Sequence, residues 1–194
     1  MENLLSDEYE VTSAVDGQDG LEKLRENKVD LVITDLNMPR LDGLSMLKKI
    51  KEEDIYKIFK PELTPKRMLE MGVFGGSYFG NNIKEYPKNW FTNAKLSKNF
   101  DVGLNRFKIR AGLSREHWIE KGWIFKEDPL GWFQWYCRFT MGRRLPNVDV
   151  TQIKRWKNFR RHVTAIEKNC EKGNLDCRKR QRQAILQWAY NPYR

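Results

Sequence analysis

The sequence predicts an α/β segment joined to a mainly helical, basic, Trp-rich domain. β-rich runs alternate with helix-patterned runs over residues 9–52. Charge then reverses sign: residues 1–53 hold 7 Lys+Arg against 13 Asp+Glu, net −6, and residues 54–194 hold 29 against 13, net +16. All seven tryptophans lie beyond residue 53 and fall at helical spacing. Two domains are therefore expected, 1–53 and 54–194, with the join near Glu52 to Lys60. At roughly 140 residues, the second is long enough to bury a core of its own.

Tyr9 to Val15 alternates and is rich in β-formers, which reads as a strand. Asp16-Gly17 turns, and Leu21 and Leu24 mark the face of a short helix reaching about Asn27. Val29 to Ile33 is the short apolar, β-branched run of a buried parallel strand. It ends in Thr34-Asp35, and the Pro39 and Gly43 that follow require a turn. A helix then begins, with Leu44, Leu47 and Ile50 expected on its inner face. A carboxylate at the carboxyl end of such a strand stands at the rim where open α/β sheets bind ligands.

The run Asp35-Leu-Asn-Met-Pro-Arg-Leu-Asp-Gly43 resembles the phospho-acceptor loop of bacterial response-regulator receiver (CheY-like) domains, and residues 9–52 resemble their second and third βα units. The resemblance implies an incomplete flavodoxin-like fold, a place in phosphorelay signal transduction, and Asp35 as the residue that a histidine kinase would phosphorylate. It also implies Mg²⁺ held by the acceptor together with two adjacent acidic residues of the first strand. Residues 1–8 resemble the end of the first helix, so that acidic strand is expected before residue 1; Asp7-Glu8 precedes the wrong strand. In the strand order 2-1-3-4-5 the first strand separates the two present here. They must pair directly, borrow a strand, or stay weakly ordered, since two strands alone are marginal. The expectation is a receiver-like segment without Mg²⁺, with Asp35 unphosphorylated and no working histidine-kinase partner.

Beyond the join, Thr64 and Pro65 read as the cap and first residue of a helix stopping at Gly72, and Ser114 heads another carrying Trp118 and Ile119. Residues 73–112 show little periodicity. Asp128-Pro129 is expected to open a helix bearing Trp132, Phe133, Trp135, Tyr136 and Phe139. Asp149 to Gln152 has capping-box spacing, followed by Ile153, Trp156, Val163 and Ile166 at helical intervals. Asp176 is expected to cap the last helix, with Ala184, Ile185 and Trp188 inward. No apolar run is long enough to cross a membrane, and three cysteines without a signal peptide predict reduced thiols in the cytoplasm.

The strongest pattern that could carry function is basic charge interleaved with aromatics. Arg155, Lys157, Arg160 and Arg161 lie on one expected helix, and Arg178, Lys179, Arg180 and Arg182 on or beside the next. Phosphate backbones reward such clusters through counterion release, and exposed aromatics stack on unpaired bases. DNA or RNA is the expected partner, although most of the tryptophans are expected in the core and no helix-turn-helix, zinc-finger or RNP signature fixes a groove. Cys137, His162, Cys170 and Cys177 are soft ligands of the kind Zn²⁺ prefers. Their spacing is no known finger, so buried free thiols and a surface imidazole are the first expectation and zinc the second. Gly72-Val-Phe-Gly-Gly76 lacks the Lys and Ser/Thr of a phosphate loop, and no catalytic set is evident. A non-enzymatic binding domain is therefore expected. The alternative is a receiver remnant joined to an enzyme or metal-stabilised module. The stretches Gly131 to Arg138 and Cys177 to Ala184 resemble a basic, Trp-rich family with no assigned activity.

Overall fold

The computed structural model describes residues 9–80 and 82–194. The expected helix end at 1–8 and the Asp7-Glu8 pair lie outside them. The chain divides into two units, which part between Ile58 and Phe59.

The first unit is built on two helices, α1 (Gly17–Glu26) and α2 (Gly43–Ile58). Asp16 is the N-cap of α1: its Oδ1 accepts from the backbone N–H of Gln18 at 2.9 Å and of Asp19 at 3.1 Å. Its Oδ2 takes the Arg40 Nε–H at 2.5 Å, and that contact holds the Asp16 carboxyl below the usual carboxylate range. Gly43 opens α2 where the loop folds back on itself. A Cβ there would stand 2.0 Å from the Asp35 carbonyl oxygen, so only glycine fits. Leu21, Met46 and Ile55 are the buried apolar side chains of this unit, and Arg25 ties α1 to Glu53 of α2 at 2.6 Å. Leu44, expected inward, is exposed instead.

The two expected strands do not form; among the described residues there is no β-strand. Tyr9 to Val15 and Val29 to Ile33 run as irregular chain, with Leu31 75 % and Ile33 60 % exposed. The incomplete flavodoxin-like sheet is thus corrected to a pair of helices with two extended-prone flanks. The cause is physical. A strand exists through its ladder, and no neighbouring backbone among the described residues donates to or accepts from these runs.

The second unit is helical with an irregular insert. Its helices are α3 (Pro65–Met71), α4 (Arg115–Glu120), α5 (Trp132–Thr140), α6 (Pro146–Asn169) and α7 (Lys179–Leu186). Thr64 and Ser114 cap α3 and α4 as expected, accepting from the N–H of Arg67 and His117. Residues 73–80 and 82–112 form loops and short 3-10 turns. They are pinned by Asn105, whose Oδ1 accepts the Gly75 N–H at 2.8 Å, and by the buried rings of Phe79, Tyr86 and Phe107.

Three expected caps are misplaced. Asp128 does not open α5; Gly131 does, at φ 95°. A Cβ on Gly131 would press to 3.2 Å of Ile124 and 3.4 Å of the Trp118 ring. Asp128 is buried, bridging Arg138 at 3.0 Å and Arg143 at 2.6 Å. α6 begins one turn early, at Leu145 and Pro146, and Asp176 yields the cap of α7 to Arg178, which sits at φ 56°. For Asp128 and Asp149 a partner distant in the chain outweighs the local capping preference, whereas Asp176 stays exposed and pairs locally with Lys179.

The core of this unit is aromatic. α5 buries every residue from Trp132 to Cys137. Phe59 packs against Trp135, Tyr136, Phe139 and Trp156 with ring centroids 5.0–5.8 Å apart. Trp156 stacks on Tyr190 at 4.9 Å, and the Tyr190 hydroxyl donates to the Trp156 carbonyl at 2.8 Å. α5 and α6 are locked by Asp149, whose Oδ1 accepts the Trp135 indole N–H at 2.7 Å and whose Oδ2 accepts the Leu145 N–H at 2.8 Å. Asp149→Ala leaves the buried Trp135 indole and the half-buried Leu145 amide without this acceptor. A loss of about 3 kcal/mol is expected on denaturant unfolding followed by tryptophan fluorescence. A change within about 0.5 kcal/mol, as for an ordinary surface substitution, would contradict this role.

Candidate functional site

Two places collect the residues that could act: the Asp35 loop of the first unit and a cleft of the second.

Asp35 is exposed. Its Oδ1 accepts the N–H of Leu36 at 2.6 Å and of Asn37 at 3.4 Å, so the carboxylate closes its own turn. Mg²⁺ requires several oxygen ligands in near-octahedral array. No group of three or more His, Cys, Asp or Glu side chains suited to a metal gathers among the described residues. Among the described residues, the two further acidic side chains that the receiver resemblance implies do not gather with Asp35.

Among the described residues, the four candidate zinc ligands are not brought together. Cys170 and Cys177 are joined in a disulfide, which corrects the expectation of reduced thiols. Cys137 is free and fully buried in α5, where burial pushes its thiol well up. His162 lies on α6, its pKa lowered by burial and by Arg161. Cys177 and Asn174 have a different use. Their carbonyls accept from Arg182, whose guanidinium also donates to the carbonyls of Pro192 and Arg194. Arg182 is 0 % exposed and ties the 170–178 loop to the carboxyl-terminal segment, so it is not the phosphate contact expected of it.

The remaining basic residues divide. Lys157, Arg160 and Arg161 of α6 and Arg178 and Arg180 beside or on α7 are exposed, and among the described residues none pairs with a carboxylate. Lys179 pairs with Asp176 at 2.5 Å. Arg155 is half-buried: its Nη1 donates to the Trp123 carbonyl at 2.7 Å and to the Gln152 Oε1 at 3.2 Å, and its Cζ stands 5.3 Å from the centre of the Phe125 ring.

Arg155 and Arg161 line a cleft of about 240 Å³. Its walls include Trp118, Trp123, Trp132, Phe159 and Trp188, and no Asp or Glu lines it. Trp188 stacks between Trp132 and Phe159, at 4.7 Å from each. Tyr78 is fixed at the cleft by donating to the Leu130 carbonyl at 2.6 Å and accepting the Gln134 N–H at 3.1 Å, and burial raises its pKa. Trp132 and Trp135 are buried, in line with the core expected for most of the tryptophans, whereas Trp123 is 44 % exposed. Sequence reasoning missed the cleft, which draws on chain from Phe74 to Trp188. One signal was present: Arg155 and Phe159 stand at i, i+4 on one face of α6, beside the buried stripe.

Among the described residues no helix is long and apolar enough to cross a membrane. Residues 1–64 match the family described as the response regulator receiver domain. The chain is 43 % identical over 76 residues to the chemotaxis protein CheY of Treponema pallidum, a match covering 34 % of this chain and 53 % of that protein. It is 47 % identical over 57 residues to protein-glutamate methylesterase/protein-glutamine glutaminase 1 of Methanospirillum hungatei, covering 28 % of this chain and 17 % of that protein. It is 40 % identical over 50 residues to the response regulator ArlR of Staphylococcus aureus, covering 26 % and 23 %. The chain thus spans about half of the CheY protein and less than a quarter of the other two. No solved structure matches the chain. The amino-terminal part of the chain is thus similar to receiver domains.

Proposed function

We propose that this protein is a response-regulator-like signalling protein whose second unit binds DNA or RNA through the exposed faces of α6 and α7. The carrying observation is a set of cations without carboxylate partners among the described residues: Lys157, Arg160, Arg161, Arg178 and Arg180, in a region of net +16. Charges left unpaired on adjoining helices are matched by a polyanion, and release of its counterions supplies the affinity. Binding is non-enzymatic, and in the first unit Asp35 takes no phosphoryl group; its carboxylate closes its own loop, and no cluster of acidic side chains joins it among the described residues.

Retention of DNA or RNA by the full chain should fall steeply with salt, with a log–log slope of several units. Arg160→Ala or Arg180→Ala should each lower that slope by about one without changing the fold. Absence of retention even at low salt would refute the reading. For the first unit, acetyl phosphate with Mg²⁺ should leave the intact mass unchanged. A stable phosphoryl adduct that disappears in Asp35→Asn would show that Asp35 is a working acceptor.

A further inference from the structure

The cleft is lined mostly by aromatic side chains, unlike the basic surface beside it. We infer that it receives a single unstacked nucleobase of a bound strand, with Arg155 and Arg161 facing that nucleotide's acceptor edge and phosphate. This deepens the nucleic-acid reading and rests on it.

Size comes first. At about 240 Å³ the cleft falls below the roughly 300–1,000 Å³ of sites for drug-sized ligands, so it suits one planar ring system and not a dinucleotide. The surface comes second. Trp118 and Trp123 line it with no ring stacked face to face on them among the described residues, whereas Trp188 is already sandwiched by Trp132 and Phe159, and stacking of bases on aromatic side chains tolerates any base.

Charge decides among planar or cation-seeking ligands. Aromatic cages also take ammonium groups, but Arg155 and Arg161 in the wall repel a cation and no acid offsets them. Arg155 is bound only to neutral oxygens, those of Trp123 and Gln152, and burial lowers its pKa. An anion or acceptor alongside would relieve that uncompensated charge.

Hydrogen-bonding capacity agrees. The indole N–H groups of Trp118, Trp123 and Trp188 and the Arg161 guanidinium have no acceptor among the described residues. Two obvious acceptors are already engaged: the Tyr78 hydroxyl by the Gln134 N–H, and the Gln187 Oε1 by Gln183. The charged side chains in the cleft wall, Arg155 and Arg161, are donors only, and bases and phosphates present acceptors.

The test uses the full chain with a short oligo(dT) single strand and with thymidine 5′-monophosphate, following tryptophan fluorescence and retention. Oligo(dT) should quench saturably, and the mononucleotide should give the same quench at higher concentration. Trp123→Ala should weaken oligo(dT) binding about tenfold or more with the salt slope unchanged, while Trp123→Phe, which keeps a ring, retains most of the affinity. Trp123 is 44 % exposed, so circular dichroism of both variants should match the parent. If oligo(dT) binds parent and Trp123→Ala equally and without quenching, the cleft assignment is overturned while the surface reading stands. If oligo(dT) is not retained yet the mononucleotide quenches the parent and not Trp123→Ala, the cleft stands and the surface reading falls. If neither probe binds, both fall.

Discussion

The Asp149 carboxylate is the fixed point of the second unit. It is almost fully buried, and each oxygen serves a different element: one takes the Trp135 indole at the centre of α5, the other the Leu145 amide at the head of α6. A buried carboxylate is tolerated only when such donors replace its water. Once α5 and α6 are registered this way, Trp132 donates its indole N–H to the Gln152 carbonyl one turn further along. Phe59 and Tyr190 then close over Trp156, and the chain ends of the unit meet where Glu62 and Leu63 donate to the Ala189 carbonyl. The faces of α5, α6 and α7 that remain are the ones that bound the aromatic cleft.

The first unit shows the opposite situation. Its helices are well specified locally, by the Asp16 cap, the Gly43 approach and the Arg25–Glu53 pair. Its β-prone runs have composition without ladder. Apolar side chains that would be buried on both faces of a parallel sheet stand in solvent, and Leu31 and Ile33 are the plainest cases. The loop between them and α2 keeps the receiver sequence, yet its carboxylate is bound to its own backbone.

Legibility followed the range of the interactions. Helix positions set by neighbours in sequence, such as Thr64 with Pro65 or the Ile153, Trp156, Val163 and Ile166 stripe, could be read directly. Asp128, Asp149 and Asp176 looked like caps because the short-range pattern is the same. What separates them is a partner 10 or more residues away for the first two, and the left-handed Arg178 for the third. Arg182 looked like a surface cation of a basic run, and only the folded loop reveals four carbonyl groups converging on it. Cys170 and Cys177 gave no spacing signal that separated a thiol pair from a disulfide. The cleft was the least legible feature, because its rings come from loops and helices far apart in the chain and share no period.

The central claim is that selectivity resides in that cleft and not in the basic helices alone. The most direct measurement is a ¹H–¹⁵N correlation spectrum of the full chain, following the tryptophan indole signals as oligo(dT) is added. The account predicts that the indoles of Trp118, Trp123 and Trp188 shift while that of Trp135, hydrogen-bonded to Asp149 in the core and not part of the cleft wall, stays in place. Shifts confined to backbone amides around Arg178 and Arg180, with every indole unmoved, would contradict it.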